Sequence, residues 1–193
     1  MTIFDMAQLA AHLELPSRFF VTRDKGALAF ERLTEALQVV PEEGSLILDF
    51  PTSQVMDVSF VDETIIRLGQ EIVAGKHGYR RLLLQGLTQD SKDNIDAAIR
   101  LQRLKIAFLA ISSNQSWEIV GHLEDSLREA LDMLAQRHSL TAPELAEEEE
   151  LALNSANNRL KRLFDLHLIR REYEVSEKGL IYYYHFWHWE EET

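Results

Sequence analysis

Short apolar runs alternate with longer amphipathic stretches over the first 111 residues. The short runs are too brief for helices and predict strands, whereas apolar residues recurring every three or four positions predict helices. This alternation is typical of βαβ units, so we predict an α/β fold with a mixed or largely parallel sheet covered by helices. The predicted strands are Arg18–Thr22, Ser45–Phe50, Arg80–Leu84 and Ile106–Ile111, and the predicted helices are Lys25–Val40, Ser59–Ala74 and Ser91–Leu104.

The pattern changes after the small polar segment Ser112–Ser116, so we place a domain boundary between residues 1–116 and 117–193. Three helices are predicted next. The first carries a leucine stripe, the second begins with a capping box at Thr141–Glu144, and the third is Asn154–Leu166. Two β-rich runs with a glycine-containing connection then predict a terminal hairpin, formed by Ile169–Val175 and Leu180–Phe186.

Composition narrows the class of protein. The 193 residues include 20 Lys and Arg, 32 Asp and Glu and no cysteine, which gives a net charge of −12. The lack of cysteine excludes disulfides, thiolate metal sites and a cysteine nucleophile, and it favours a cytoplasmic location. We expect neither secretion nor membrane association, because no basic leader opens the sequence and no apolar run approaches about 20 residues. So acidic a chain would need a local basic patch to bind DNA.

Three segments of the predicted helices and hairpin are similar to a known family of proteins. They are Ser139–Ala146, Ala156–Leu163 and Leu166–Arg171. These segments resemble the winged helix-turn-helix regulators of bacterial transcription. The resemblance implies that the third helix enters the DNA major groove, where Asn can pair with adenine and Arg or Lys with guanine. The implied base contacts are Ser155, Asn157, Asn158, Lys161 and Arg162, and the implied wing contacts are Arg170, Arg171 and Lys178.

Charge around the third helix gives two opposite indications. Residues 121–193 contain 8 basic and 16 acidic residues, including the runs Glu147–Glu150 and Glu190–Glu192, which would repel phosphate. Residues 153–164, by contrast, contain three basic residues and no acid, so a positive stripe could act within a Debye length of about 8 Å. The alternative is that these cations form an ordinary solvated helix face and that the domain docks a protein.

Two segments of the first domain carry a second resemblance. Leu46–Phe50 is a strand ending in Asp-Phe, and Met56–Glu63 places Ser-Phe at the start of the next helix. From about Arg18 to Ile111 the chain resembles STAS-like domains, which are related to bacterial anti-anti-sigma factors. The resemblance implies that Ser59 is the serine that a partner kinase phosphorylates.

The residues around Ser59 allow three interpretations. Ser59 with Asp62 three residues later would form an acidic capping box for the helix. A phosphate at this position would be stabilised by the helix dipole but crowded by Asp57, Asp62 and Glu63, which would expel an acidic partner. In the third interpretation the segment is an unmodified contact surface.

Catalytic motifs are missing from the sequence. It has no Gly-rich phosphate loop, no Gly-x-Ser-x-Gly elbow and no His-Glu-x-x-His segment, so we do not expect an enzyme. Two groups could suggest a metal site, but the first is better explained as helix caps and the second as an aromatic strand end. These groups are Asp49, Asp57, Asp62 and Glu63, and His185, His188 and Glu190. We expect no metal and no cofactor.

Together the two resemblances imply a cytoplasmic transcriptional regulator. Its winged helix would bind DNA, and its STAS-like domain would serve as an interaction or sensing module. A homodimer would place two third helices about 34 Å apart, one turn of DNA. The alternative is an anti-anti-sigma-like switch that exchanges a protein partner or kinase without binding DNA.

Overall fold

Two units, Met1–His122 and Leu123–Thr193, divide the chain in the computed structural model, which describes residues 1–16, 18–112, 116–176 and 179–187. The sequence prediction placed the boundary six residues earlier, before Trp117. The difference arises because the segment from Trp117 onward pairs with a strand of the first unit's sheet, and its Val120 joins that unit's core. The boundary therefore follows this strand.

The first unit contains a mixed five-stranded sheet. Its first four strands run parallel and the last runs antiparallel to its neighbour. In spatial order the strands are β1 (Thr2–Asp5), β3 (Ser45–Asp49), β5 (Arg81–Gln85), β6 (Ala107–Ile111) and β7 (Trp117–Gly121). Strands β3, β5 and β6 confirm predicted strands, and they are buried along nearly their whole length. Strands β1 and β7 were not predicted.

A separate parallel pair joins β2 (Phe19–Phe20) to β4 (Val55–Met56). The predicted strand Arg18–Thr22 is therefore correct only over Phe19 and Phe20, and it lies outside the main sheet. Phe20 and Met56 are buried, whereas Phe19 and Val55 are exposed. This pair consequently presents one apolar side to the core and the other to solvent.

Helices cover the sheet of the first unit. The parallel strands follow one another across the sheet in a single direction, from β1 to β3, β5 and β6. Because connections between parallel strands are right-handed, this order places the connecting helices on one face of the sheet. The helices are α1 (Met6–His12), α2 (Arg23–Gln38), α3 (Val58–Val61), α4 (Arg67–Val73) and α5 (Gln89–Leu101), with a π-helical segment, Asp62–Ile66, joining α3 to α4. The core lies between the two layers and includes Leu33, Leu48, Phe60, Leu84, Ile95 and Phe108. The three predicted helices are confirmed, whereas α1 was not predicted.

The second unit contains three helices and a three-stranded antiparallel sheet in the order β8-β10-β9. Its elements are α6 (Asp125–Arg137), β8 (Ser139–Thr141), α7 (Ala142–Glu148), α8 (Leu153–Asp165), β9 (Arg170–Ser176) and β10 (Gly179–His185). The three predicted helices and the hairpin are confirmed. Strand β8, which was not predicted, pairs with β10, with Leu140 opposite Tyr184.

Candidate nucleic-acid interface

Helix α8 presents the residues that the sequence predicted as base contacts. Its buried side consists of Ala156, Leu160 and Leu163, spaced four and three residues apart. The five predicted contacts all lie on the exposed side of the helix: Ser155, Asn157, Asn158, Lys161 and Arg162. Within the described residues, neither asparagine amide forms a hydrogen bond, so both are available to a ligand.

The capping box predicted at Thr141–Glu144 fixes the start of α7. The Glu144 backbone N–H donates to Thr141 Oγ1 at 3.5 Å, and Glu144 Oε2 accepts from the Thr141 hydroxyl and backbone N–H, each at 2.7 Å. These hydrogen bonds lower the pKa of Glu144. Helix α7 ends at Glu148 and α8 begins at Leu153, so only residues 149–152 connect the two helices.

Acidic side chains compensate the cations on the exposed side of α8. Arg162 donates two hydrogen bonds to the Glu124 carboxylate, at 2.7 and 2.8 Å, and these bonds raise the pKa of Arg162. Lys161 pairs with Asp165 at 2.5 Å, one turn further along the helix. The stripe predicted over 153–164 is therefore not a free positive surface. Nothing in the sequence marked Glu124 as a partner, because it lies 38 residues before Arg162.

The glutamate run at the end of α7 is partly neutralised by the second unit itself. Glu149 pairs with Arg159 of α8, and Glu148 pairs with Arg137 of α6. The other two glutamates of this run are exposed. The second predicted run, Glu190–Glu192, lies outside the described residues. Repulsion of phosphate beside α8 is consequently weaker than four adjacent charges would indicate.

The hairpin differs from the cationic wing that the sequence predicted. Arg170 is exposed, as a wing contact requires. The Arg171 guanidinium instead lies over the rings of Phe164 and Tyr182, with its Cζ 4.0 and 4.5 Å from the ring centroids. A contact between a cation and an aromatic ring stabilises this position of the Arg171 side chain within the second unit. Arg171 is therefore less available to DNA than predicted. Lys178, the remaining predicted wing contact, lies outside the described residues.

The same hairpin also exposes apolar side chains, which the sequence analysis did not predict. Tyr173 is 67% exposed, Val175 75% and Leu180 55%. Tyr173 lies opposite Tyr182, and Val175 lies opposite Leu180 across the two strands. The hairpin therefore offers apolar side chains as well as charge to whatever it contacts.

In the first unit, Asp57 rather than Ser59 caps α3. Asp57 Oδ1 accepts from the Phe60 backbone N–H at 2.7 Å, and Asp57 Oδ2 accepts from the Thr22 N–H at 3.0 Å. Ser59 is exposed in the first turn of the helix. The predicted capping box of Ser59 and Asp62 is wrong, because the helix begins one residue before Ser59 and the cap position is already occupied.

The acids next to Ser59 are paired. Asp62 forms an ion pair with Arg23 at 3.2 Å and accepts from Gln102 Nε2 at 2.5 Å. Glu63 also pairs with Arg23. The crowding of negative charge that the sequence predicted at Ser59 is therefore reduced, and a phosphate there would meet less repulsion than expected.

The sequence analysis did not favour a metal site in either the acidic or the histidine group, and His188 and Glu190 of the second group lie outside the described residues. Within residues 1–16, 18–112, 116–176 and 179–187, no group of three or more His, Asp or Glu side chains could hold a metal ion. No helix among these residues is long and apolar enough to cross a membrane. No protein-family model matches the sequence, and no curated protein matches it either.

Proposed function

We propose that this chain is a regulatory protein that acts by binding rather than by catalysis, and that its second unit binds DNA through α8. The order α6-β8-α7-α8-β9-β10, with β10 lying between β8 and β9, supports a winged helix-turn-helix arrangement. In that arrangement α8 is the recognition helix and lies in the major groove. The exposed polar side of α8 is the observation on which the proposal depends.

Base recognition would come mainly from the amides of α8. Asn157 and Asn158 are exposed, and an asparagine amide pairs with the N6 and N7 groups of adenine through two hydrogen bonds. Lys161 and Arg162 lie on the same exposed side, where they could contact guanine or phosphate. Because the opposite side of α8 is packed in the core, these groups are presented by a rigid helix.

To contact DNA, Arg162 would exchange its ion-pair partner Glu124 for a phosphate group of the DNA. The two side chains are 48% and 38% exposed, and pairs of such exposure contribute about 0–1 kcal/mol. A phosphate offers Arg162 the same two-oxygen geometry as the carboxylate, so the exchange costs little. Since the chain carries a net charge of −12, we expect weak sequence-independent affinity, and base contacts should account for most of the specificity.

Fluorescence anisotropy with the full chain and a pool of genomic DNA fragments tests this function. At low salt we expect selected fragments to bind more tightly than random DNA. Asn157→Ala should weaken the preferred site roughly 5- to 150-fold, while affinity for random DNA stays unchanged. Gln136→Ala is the matched control, because Gln136 is an exposed amide on α6. Equal losses in the two variants, or no fragment preferred over random DNA, would contradict the proposal.

We propose that the first unit is STAS-like and serves as the interaction or sensing module, joining two chains. Its parallel strands with helices on one face, and the exposed Ser59 at the start of α3, support this assignment. A homodimer would present two α8 helices about 34 Å apart to a two-fold symmetric DNA site. Light scattering measures the mass in solution. A monomer at concentrations that saturate DNA would rule out this dimer.

A second candidate function, a protein-interaction switch without DNA binding, is favoured by the surface around Ser59. Phe19 lies opposite Val55, and their side chains are 44% and 51% exposed, while Val58, next to Ser59 in α3, is 37% exposed. These apolar side chains suit a protein partner. If this function is correct, Ser59→Asp releases a partner that both the wild-type chain and Ser59→Ala retain in pull-down experiments. Identical partners for all three chains would exclude a switch at Ser59.

A further inference from the structure

A cavity of about 350 Å³ opens in the first unit, where the end of α5 approaches the end of β7. Its lining combines three cations with one carboxylate and two aliphatic side chains. These residues are Arg100, Arg103 and Lys105, then Asp96, and then Ile99 and Leu104; Gly121 and His122 complete the lining. We call this cavity the α5 pocket. Its volume lies within the range of small-molecule sites, which begins at about 300 Å³.

Among the described residues no carboxylate forms a close ion pair with the three cations of the α5 pocket, although Asp96 of the same lining interacts electrostatically with Arg100. Each is exposed, and none forms an ion pair with any part of the chain that the structure describes. In a chain with 32 acidic and 20 basic residues, a lining with three cations and one carboxylate is a local reversal of charge.

The end of α5 positions two of the three cations. Arg100 lies in the last turn of α5, where a cation is favourable. Arg103 lies beyond the helix with φ of +54°, in the left-handed region that costs a non-glycine residue about 1 kcal/mol. This left-handed residue ends α5 in an ordinary way, because the Arg103 N–H donates to the Arg100 carbonyl at 3.1 Å and the Leu104 N–H donates to the Ile99 carbonyl at 3.0 Å.

Asp96 and Gly121 form the polar part of the pocket wall. Asp96 Oδ1 accepts from the Gly121 N–H at 2.6 Å. Gly121 has φ of +109°, and a Cβ there would lie 2.6 Å from the Ile106 carbonyl oxygen, so a side chain would disturb this wall. Burial raises the pKa of Asp96. Among the described residues no donor reaches Asp96 Oδ2, which leaves an acceptor for a bound molecule.

We propose that the α5 pocket binds a small phosphate ester. The three cations would hold the phosphate, because guanidinium and ammonium groups form strong charge-assisted hydrogen bonds with phosphate oxygens. Ile99 and Leu104 would contact the carbon skeleton, and Asp96 would accept from a hydroxyl group. A mixed lining with a few convergent polar groups is typical of sites that orient a small ligand.

Isothermal titration calorimetry of the full chain tests the proposal with ribose 5-phosphate and inorganic phosphate as probes. We expect saturable binding of both, with ribose 5-phosphate tighter because its hydroxyl groups reach Asp96. Arg103→Gln and Lys105→Gln should each weaken binding by about tenfold or more, since each removes a charge-assisted hydrogen bond. Arg18→Gln, which removes an exposed cation of the same unit outside the pocket, should leave affinity unchanged.

Lys105→Arg separates charge from folding, because it keeps the positive group. We expect this variant to retain binding and the thermal unfolding temperature of the wild-type chain. Absence of saturation at millimolar probe would overturn the proposal, as would an equal loss in Arg18→Gln. Loss of binding in Lys105→Arg would also overturn it. Tighter binding of inorganic phosphate than of ribose 5-phosphate would refute the role assigned to Asp96.

Discussion

Replacing Asp57 with alanine tests which residue caps α3. The Asp57 carboxylate accepts from the Phe60 N–H at 2.7 Å and from the Thr22 N–H at 3.0 Å, so the change removes both an N-cap and a link to the start of α2. Loss of an N-cap costs about 1 kcal/mol. Loss of the bond to Thr22 costs about 1 kcal/mol more. We therefore expect Asp57→Ala to lower the free energy of unfolding by about 2 kcal/mol.

Urea unfolding followed by circular dichroism measures this loss. Fitting separate transitions for the two units keeps the first unit's stability distinct from the second's. Ser59→Ala is the matched control, because Ser59 is exposed and its hydroxyl makes no hydrogen bond with the described residues. Its effect should stay within about 0.5 kcal/mol. If Ser59→Ala costs as much as Asp57→Ala, Asp57 is not the principal cap and the Ser59 capping box must be reconsidered.

Three further predictions concern other contacts. Glu124→Gln should strengthen DNA binding in anisotropy at constant salt, because Arg162 loses its charged partner; unchanged or weaker binding would count against partner exchange. Gly121→Ala should cost about 2 kcal/mol or more in thermal unfolding, since φ is +109° and the new Cβ would meet a carbonyl oxygen; an unchanged melting temperature would disprove this strain. The pKa of Glu144 is lowered in the folded chain, so Glu144 stabilises the fold at pH values above its unfolded pKa of about 4.3. This stabilisation is lost as the pH falls through the folded pKa. Thr141→Val removes one of the hydrogen bonds that lower this pKa. Urea titrations should therefore show that its free energy of unfolding falls less between neutral pH and about pH 3 than that of the wild-type chain. An equal fall in both chains would refute the contribution of Glu144.

Elements with a strong local pattern were predicted, whereas short elements were not. The strand Ser45–Asp49 contains the buried apolar run Leu46–Leu48, and α8 places its buried residues at helical spacing, so both follow from neighbours in the sequence. Thr2–Asp5 and Ser139–Thr141 have only four and three residues and no long apolar run. They are strands because partners distant in the sequence lie beside them, with Thr2 opposite Leu46.

The amino-acid sequence by itself determined the capping box of α7, the amphipathic form of α8 and the buried strands of the first unit. These features depend on residues within one or two turns of each other, so periodicity and cap chemistry reveal them. Only the tertiary structure decided that Glu124 pairs with Arg162, that Asp57 caps α3 while accepting from Thr22, and that three cations and one carboxylate line one cavity. Hydrogen bonds and ion pairs act over a few ångströms, and folding alone determines which distant residues come that close.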